Sequence, residues 1–375
     1  MKKAASSPVN LYVGRGQTLA ERGLQLPPFE RPESYEAPQL YLAGKGLRAA
    51  VNVAIMLGQP LLITGEPGTG KTRLADSIAF EFGGLPLLKF HTKSTSTARD
   101  LFYHYDALRH FRDVQFEARA NVAAAAQTPP AERRPADTYI TYNALGLAIL
   151  LTLQADDPRR ARFNPYIEDD WRETGGTRSV VLVDEIDKAP RDFPNDILNE
   201  IEDMEFEVRE LDAPHFKAVK ELRPIVVLTS NSEKNLPEAF LRRCVFYHTE
   251  FPRLRALRKI VERRLGPAPE DIPSDLREHA LSHFQRIRDL KLKKAPATAE
   301  LLAWIRVLEK MGLDPSAPNP TPQQERALIY TYSILAKSKG DIDTITDELH
   351  PEEKKRRLAF GGADDRNEDS EEEED

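Results

Sequence analysis

Eight consecutive residues, Gly65-Glu66-Pro67-Gly68-Thr69-Gly70-Lys71-Thr72, have the spacing G-x-x-x-x-G-K-[ST]. That spacing suits one chemistry above others, the holding of a polyphosphate. Glycines let the backbone curl until successive N–H groups point inward at a β-phosphate, an approach that side chains would block. Lys71 would set its charge against the β- and γ-phosphates, and Thr72 its hydroxyl on Mg²⁺. Glu66, Pro67 and Thr69 complete the turn. A helix opening here would aim the positive end of its dipole at the same group.

Such a site needs a second metal-side group and something to activate water. The run Val180-Val181-Leu182-Val183-Asp184-Glu185 offers both at the end of an apolar strand. Asp184 is the expected Mg²⁺-side carboxylate, acting through the metal's waters, and Glu185 the expected general base. A later run ends Leu228-Thr229-Ser230-Asn231. The Asn231 amide would hold an attacking water without titrating, or Ser230-Asn231 would simply form a turn. Arg242 and Arg243, before Cys244, are either a solvated face or a guanidinium finger for a neighbouring copy's γ-phosphate.

These residues need strands to carry them. Candidates are Leu61–Ile63, Leu87–Phe90, Val180–Val183, Ile225–Leu228 and Val245–Tyr247, mostly continuous apolar runs of the kind buried on both faces. A helix with Leu74, Ile78 and Phe82 on one stripe follows the first, and one with Phe193, Ile197, Leu198, Ile201 and Met204 follows the third. Strands alternating with helices predict an α/β fold with a parallel sheet. The stretch 92–177 is too long for a loop and should hold helices of its own, one around Leu145–Leu153. After Pro252 the pattern is helical only, with segments at Leu254–Leu265, around Leu301–Leu308 stopped near Gly312, and at Arg326–Lys337. The expected domains are a proline-rich extended arm (1–39), an α/β core (40–252), a small helical domain (253–350) and an acidic disordered tail (351–375).

Composition narrows the classes. Net charge is −7, but residues 361–375 carry nine acids and one arginine, leaving the rest close to neutral. The single cysteine, Cys244, cannot form an internal disulfide and reads as a small buried residue. No apolar run approaches the roughly 20 residues of a bilayer span, and the basic start lacks the apolar core of a secretory signal. A cytoplasmic address is expected.

Taken together, Pro60–Thr72, Val183-Asp184-Glu185-Ile186-Asp187-Lys188-Ala189-Pro190, Thr229-Ser230-Asn231 and Phe240-Leu241-Arg242-Arg243-Cys244 resemble the AAA+ superfamily, and within it the MoxR-like group and its CoxD-like branch. Phe206–Leu211 also looks like the short hairpin segment that this group carries before its sensor strand. The likeness runs from about residue 40 to 310. It implies a five-stranded sheet of order 5-1-4-3-2 with a helical lid, assembled as a hexameric ring with ATP and Mg²⁺ between neighbouring copies. By motif position Asn231 becomes sensor 1 and Arg243 the leading arginine finger, with Arg242 second. Relatives are chaperone-like ATPases that remodel or mature protein and metalloenzyme complexes, often with a von Willebrand factor A-domain partner. One departure stands out. Where many relatives place a sensor 2 arginine, this chain reads Lys293-Lys294-Ala295-Pro296, so Lys294 is the cation there, a point charge without a fork.

Two rival functions remain at this stage. A nucleic-acid-associated motor would favour a basic groove or a reader module, which a nearly neutral body argues against. A nucleotide-timed switch in signalling or defence would not need Glu185. GTP is disfavoured because no N/T-K-x-D segment follows the phosphate turn.

Overall fold

A computed structural model describes residues 37–123, 136–161, 171, 173–210, 215–231, 236–269 and 272–359, with 11, 12, 14, 16–23, 25 and 26. The chain divides into two compact units, Ala37–Phe251 and the pair Met1–Glu36 with Pro252–Asp375.

Five parallel strands organise the first unit: β1 (Leu61–Gly65), β2 (Leu87–His91), β5 (Val180–Asp184), β8 (Ile225–Thr229) and β9 (Val245–Thr249). They lie in the order β2-β5-β8-β1-β9. Alternation along the central strands explains their unbroken apolar sequence. Leu62, Val181, Val183, Val226 and Leu228 face one core, while Leu61, Ile63, Val180, Leu182 and Val227 face the other. Both faces are covered, so the positions before the strand tips select apolar residues. The edges differ. β2 and β9 are only partly buried, and Phe246 is 45% exposed, because an edge strand has a neighbour on one side only.

Two helices cover the second face. α1 (Lys45–Leu57) buries Leu47, Val51 and Ala54 at helical spacing, and α2 (Lys71–Glu81) buries Leu74 and Ile78. Phe82, expected on that stripe, instead ends the helix and is 48% exposed. The helix expected over 193–204 is broken into Phe193–Asp196 and Leu198–Asp203 at Ile197. Phe193, Ile197, Ile201 and Met204 still reach the core.

The stretch 92–177 contributes an antiparallel hairpin, β3 (Tyr103–Tyr105) with β4 (Ile140–Tyr142), and the helices α3 (Ala107–Ala123) and α4 (Ala144–Leu151). All eight residues of α4 are buried, so it serves as a core helix. A second hairpin, β6 (Glu205–Glu207) with β7 (His215–Lys217), lies on the segment where the hairpin was expected. Phe206 stacks on Phe102 and Phe216 at 5.3 and 5.2 Å, and Tyr103 donates to Glu210 at 2.8 Å, which joins the two hairpins.

The helical unit contains α5 (Leu254–Leu265), α6 (Leu276–Asp289), α7 (Thr298–Met311), α8 (Pro322–Leu335), α9 (Lys339–Leu349) and α10 (Pro351–Ala359). Its core is built from Leu257, Val261, Phe284, Ile287, Leu301, Trp304, Ile305, Leu308 and Tyr332. α10 occupies the first residues of the expected disordered tail, a correction to its start; residues 360–375 lie outside the described part. Most of the expected arm 1–39 also lies outside it, and Pro38–Leu40 form one short turn. Among the described residues no helix is long and apolar enough to cross a membrane.

Candidate functional site

The chemistry-bearing residues meet at the carboxyl ends of β1, β8 and β5, three adjacent strands. The phosphate turn leaves β1 at Gly65 and enters α2 at Lys71. Its sharp bend requires glycine: Gly65, Gly68 and Gly70 have φ of 138°, 76° and 89°. Gly65 is also pressed against β9, where a Cβ would lie 2.2 Å from the Thr249 carbonyl oxygen.

Lys71 is 8% exposed. Its ammonium donates to the Gly65 and Glu66 carbonyls at 2.7 and 2.9 Å and to Asn231 Oδ1 at 2.9 Å, all neutral oxygens. Burial pushes its pKa below the ordinary lysine value, against the pull of Asp187, Asp184, Glu185 and Glu66. A buried cation bonded only to neutral groups is short of an anion, and a phosphate would supply it.

Asp184 ends β5 and accepts from Thr72 Oγ1 at 2.9 Å and Thr229 Oγ1 at 2.6 Å. Thr229 in turn accepts the Glu185 backbone N–H at 2.9 Å, so one hydroxyl joins both acidic residues to β8. Glu185 has φ 55°, a left-handed backbone that turns its carboxylate out of the strand direction. Asn231 Nδ2 donates to Glu185 Oε1 at 3.1 Å, and Lys188 pairs with Glu185 Oε2, which raises the Lys188 pKa. Asp187 Oδ1 accepts the Asn231 backbone N–H at 3.2 Å, and His91 Nδ1 lies 3.6 Å from Asp184 Oδ2.

Lys71, Thr72, Asp184, Glu185 and Asn231 therefore form one connected cluster. Thr229, Asp187, Lys188 and His91 join it. Thr229, Asp187 and Lys188 already flanked the candidate residues, but nothing in their own types marked them out.

Arg242 and Arg243 stand elsewhere. They precede β9 at the end where Val245 pairs with Leu61, whereas the phosphate turn starts where Thr249 pairs with Gly65. About 13–16 Å of strand separates those ends. Arg243 contacts Asn199 at 3.3 Å and Glu202 at 3.5 Å, and Arg242 pairs with Glu238 at 2.5 Å in the open. Cys244 is partly buried, which pushes its thiol up to about 12. Lys294 belongs to the helical unit. It is exposed on a loop whose Lys293 N–H is accepted by the buried Asp341 carboxylate at 2.8 Å.

Residues 60–244 match the family model of the AAA domain, dynein-related subfamily. The match supports an AAA+ ATP-binding protein. No curated protein matches the chain. The AAA match runs from the residue before β1 to the one before β9, so it takes in the whole cluster and both arginines. The five-stranded parallel sheet with its flanking helices fits the α/β core of such a domain.

The donor set also suits the ligand. Among the described residues no group of three or more His, Cys, Asp or Glu side chains forms a metal cage. Mg²⁺ with a nucleotide takes most of its ligands from phosphate and water, needing only one hydroxyl and one carboxylate nearby. Thr72 and Asp184, in mutual contact, are such a pair.

Proposed function

We propose that this chain binds Mg²⁺-ATP on Gly65, Glu66, Pro67, Gly68, Thr69, Gly70, Lys71 and Thr72 and hydrolyses it, acting as a MoxR-like chaperone ATPase in a ring. The observation that carries the reading is the buried Lys71 ammonium, bonded only to neutral oxygens beside the Thr72–Asp184 pair. Bound Mg²⁺ would neutralise developing charge on the β- and γ-phosphates. Glu185 would take the proton of the attacking water, and Asn231, bonded to both Lys71 and Glu185, would orient that water between them. Lys294 remains the proposed reporter of nucleotide from the helical unit, proposed as a lid.

The position of Arg243 supports the ring. Standing at the far end of β9 from Gly65, it suits a neighbouring copy's γ-phosphate better than its own, with Arg242 second. A protein client, a von Willebrand factor A-domain protein among the candidates, follows from the MoxR-like reading alone.

Equilibrium titration with a fluorescent ATP analogue tests the site. Lys71→Ala should weaken binding by about 100-fold or more, the loss of a charge-assisted contact in a dry site; unchanged affinity overturns the reading. Arg243→Ala should keep wild-type ATP affinity yet lose about 1000-fold in turnover at concentrations where the wild type assembles. Normal turnover would place the finger elsewhere.

A further inference from the structure

One chain of hydrogen bonds crosses the strand-tip cluster from cation to cation. Lys71 Nζ donates to Asn231 Oδ1 at 2.9 Å, Asn231 Nδ2 donates to Glu185 Oε1 at 3.1 Å, and Lys188 Nζ pairs with Glu185 Oε2. The two ammonium groups are used differently. Lys71 is buried on neutral oxygens, whereas Lys188, with its side chain 56% exposed, sets its charge on the carboxylate read as the base.

Local geometry puts Lys188 there. Ile186–Lys188 form a single 3-10 turn, entered from the left-handed Glu185 and closed by the Lys188 N–H on the Glu185 carbonyl at 2.9 Å. Side chains three residues apart eclipse in such a turn, so position 188 returns over position 185. Ile186 is fully buried in the core and fixes the turn from below, while Thr229 accepts the Glu185 N–H at 2.9 Å. The contact is thus built by the backbone on both sides of it.

Both oxygens of Glu185 carry a donor before any water arrives. Accepting the proton of the attacking water would neutralise the carboxylate and forfeit the attraction of Lys188. An interaction stronger in the ground state than in the transition state raises the barrier by what is lost between them.

We propose that Lys188 is a positioning residue that restrains Glu185 and holds basal hydrolysis below the rate the site could reach. The inference rests on the reading of Glu185 as the general base. A single exposed ion pair is weak, so the restraint slows turnover by up to about fivefold rather than stopping it.

Steady-state phosphate release at saturating ATP tests it, alongside equilibrium titration of ATP. Lys188→Met keeps the aliphatic stem and removes the charge; it should raise kcat about three- to fivefold, the worth of one such pair, and leave ATP affinity in place. Lys188→Arg, which returns the cation, should bring the restraint back. On a Glu185→Gln background Lys188→Met should give no gain, an outcome that a general loosening of the turn would not produce. The ratio of Lys188→Met to wild-type turnover should also shrink toward one as salt rises to about 1 M, where the Debye length is about 3 Å. A kcat for Lys188→Met at or below that of the wild type overturns the proposal, as does a gain that survives on the Glu185→Gln background. Failure of the underlying reading looks different: Glu185→Gln alone would then release phosphate at the wild-type rate, and Lys188 would have no base to restrain.

Discussion

Two buried polar networks, one in each unit, invite comparison. In the helical unit His283 Nε2 meets Tyr332 OH at 2.8 Å, Tyr332 OH meets His350 Nε2 at 2.8 Å, and His350 Nδ1 meets Glu325 at 3.1 Å. Trp304 Nε1 donates to Thr331 Oγ1 at 2.8 Å beside them. Each group finds its complement within the unit, and one choice of tautomers satisfies the whole chain of bonds. At the tips of β1, β5 and β8 the bonding is as dense, but the charges do not close: a buried ammonium touches only neutral oxygens while carboxylates sit nearby. A closed network holds helices together, whereas one short of an anion is prepared for a ligand.

The sharpest way to break that contrast is Glu185→Gln. If the strand-tip cluster is chemical, turnover should drop about 100-fold or more, with ATP still bound. Steady-state phosphate release measures the first and equilibrium titration the second; undiminished release would make the cluster as structural as its counterpart. The helical network should answer in stability instead. Burial pushes His283 down to about 4, helped by Arg286 and His350, so the folded chain leaves it neutral where the unfolded chain already binds a proton. Stability is therefore lost as pH falls from about 6.5 to about 4, by up to about 3 kcal/mol. Urea unfolding across that range should show the decline, and His283→Gln should flatten it. A smaller effect is expected from Thr229→Val, which removes the hydroxyl between Asp184 and the Glu185 N–H. Turnover should fall about tenfold, equivalent to about 1.4 kcal/mol, with ATP affinity changed less. An equal loss in affinity would show that Thr229 supports binding rather than the placement of Glu185.

The sequence made the strand-tip cluster readable because its members are rare types at fixed spacing. Gly65 to Thr72 is a local signal, and Asp184, Glu185 and Asn231 each follow an apolar run that marks a strand end. Thr229 was not assigned a role because its two partners come from a different strand, and a threonine at the end of a β-branched run looks like ordinary strand. The central strands were legible from continuous apolar sequence. The strands of Tyr103–Tyr105 and Ile140–Tyr142 were not, since three residues carry no period. Phe82 misled because an apolar residue at i+8 fits the stripe even after the helix has ended. In the second unit, α6 has Leu276, Ala280, Phe284 and Ile287 at helical spacing, but basic and histidine residues between them masked the stripe.

The fit of Gly65 against Thr249 gives β9 a mechanical meaning. The strand has Arg242 and Arg243 just before one end and rests on the first residue of the phosphate turn at the other, with no clearance for a methyl group. A five-residue strand, paired with β1 along its whole length, thus links the position of the two arginines to that of the turn's first glycine.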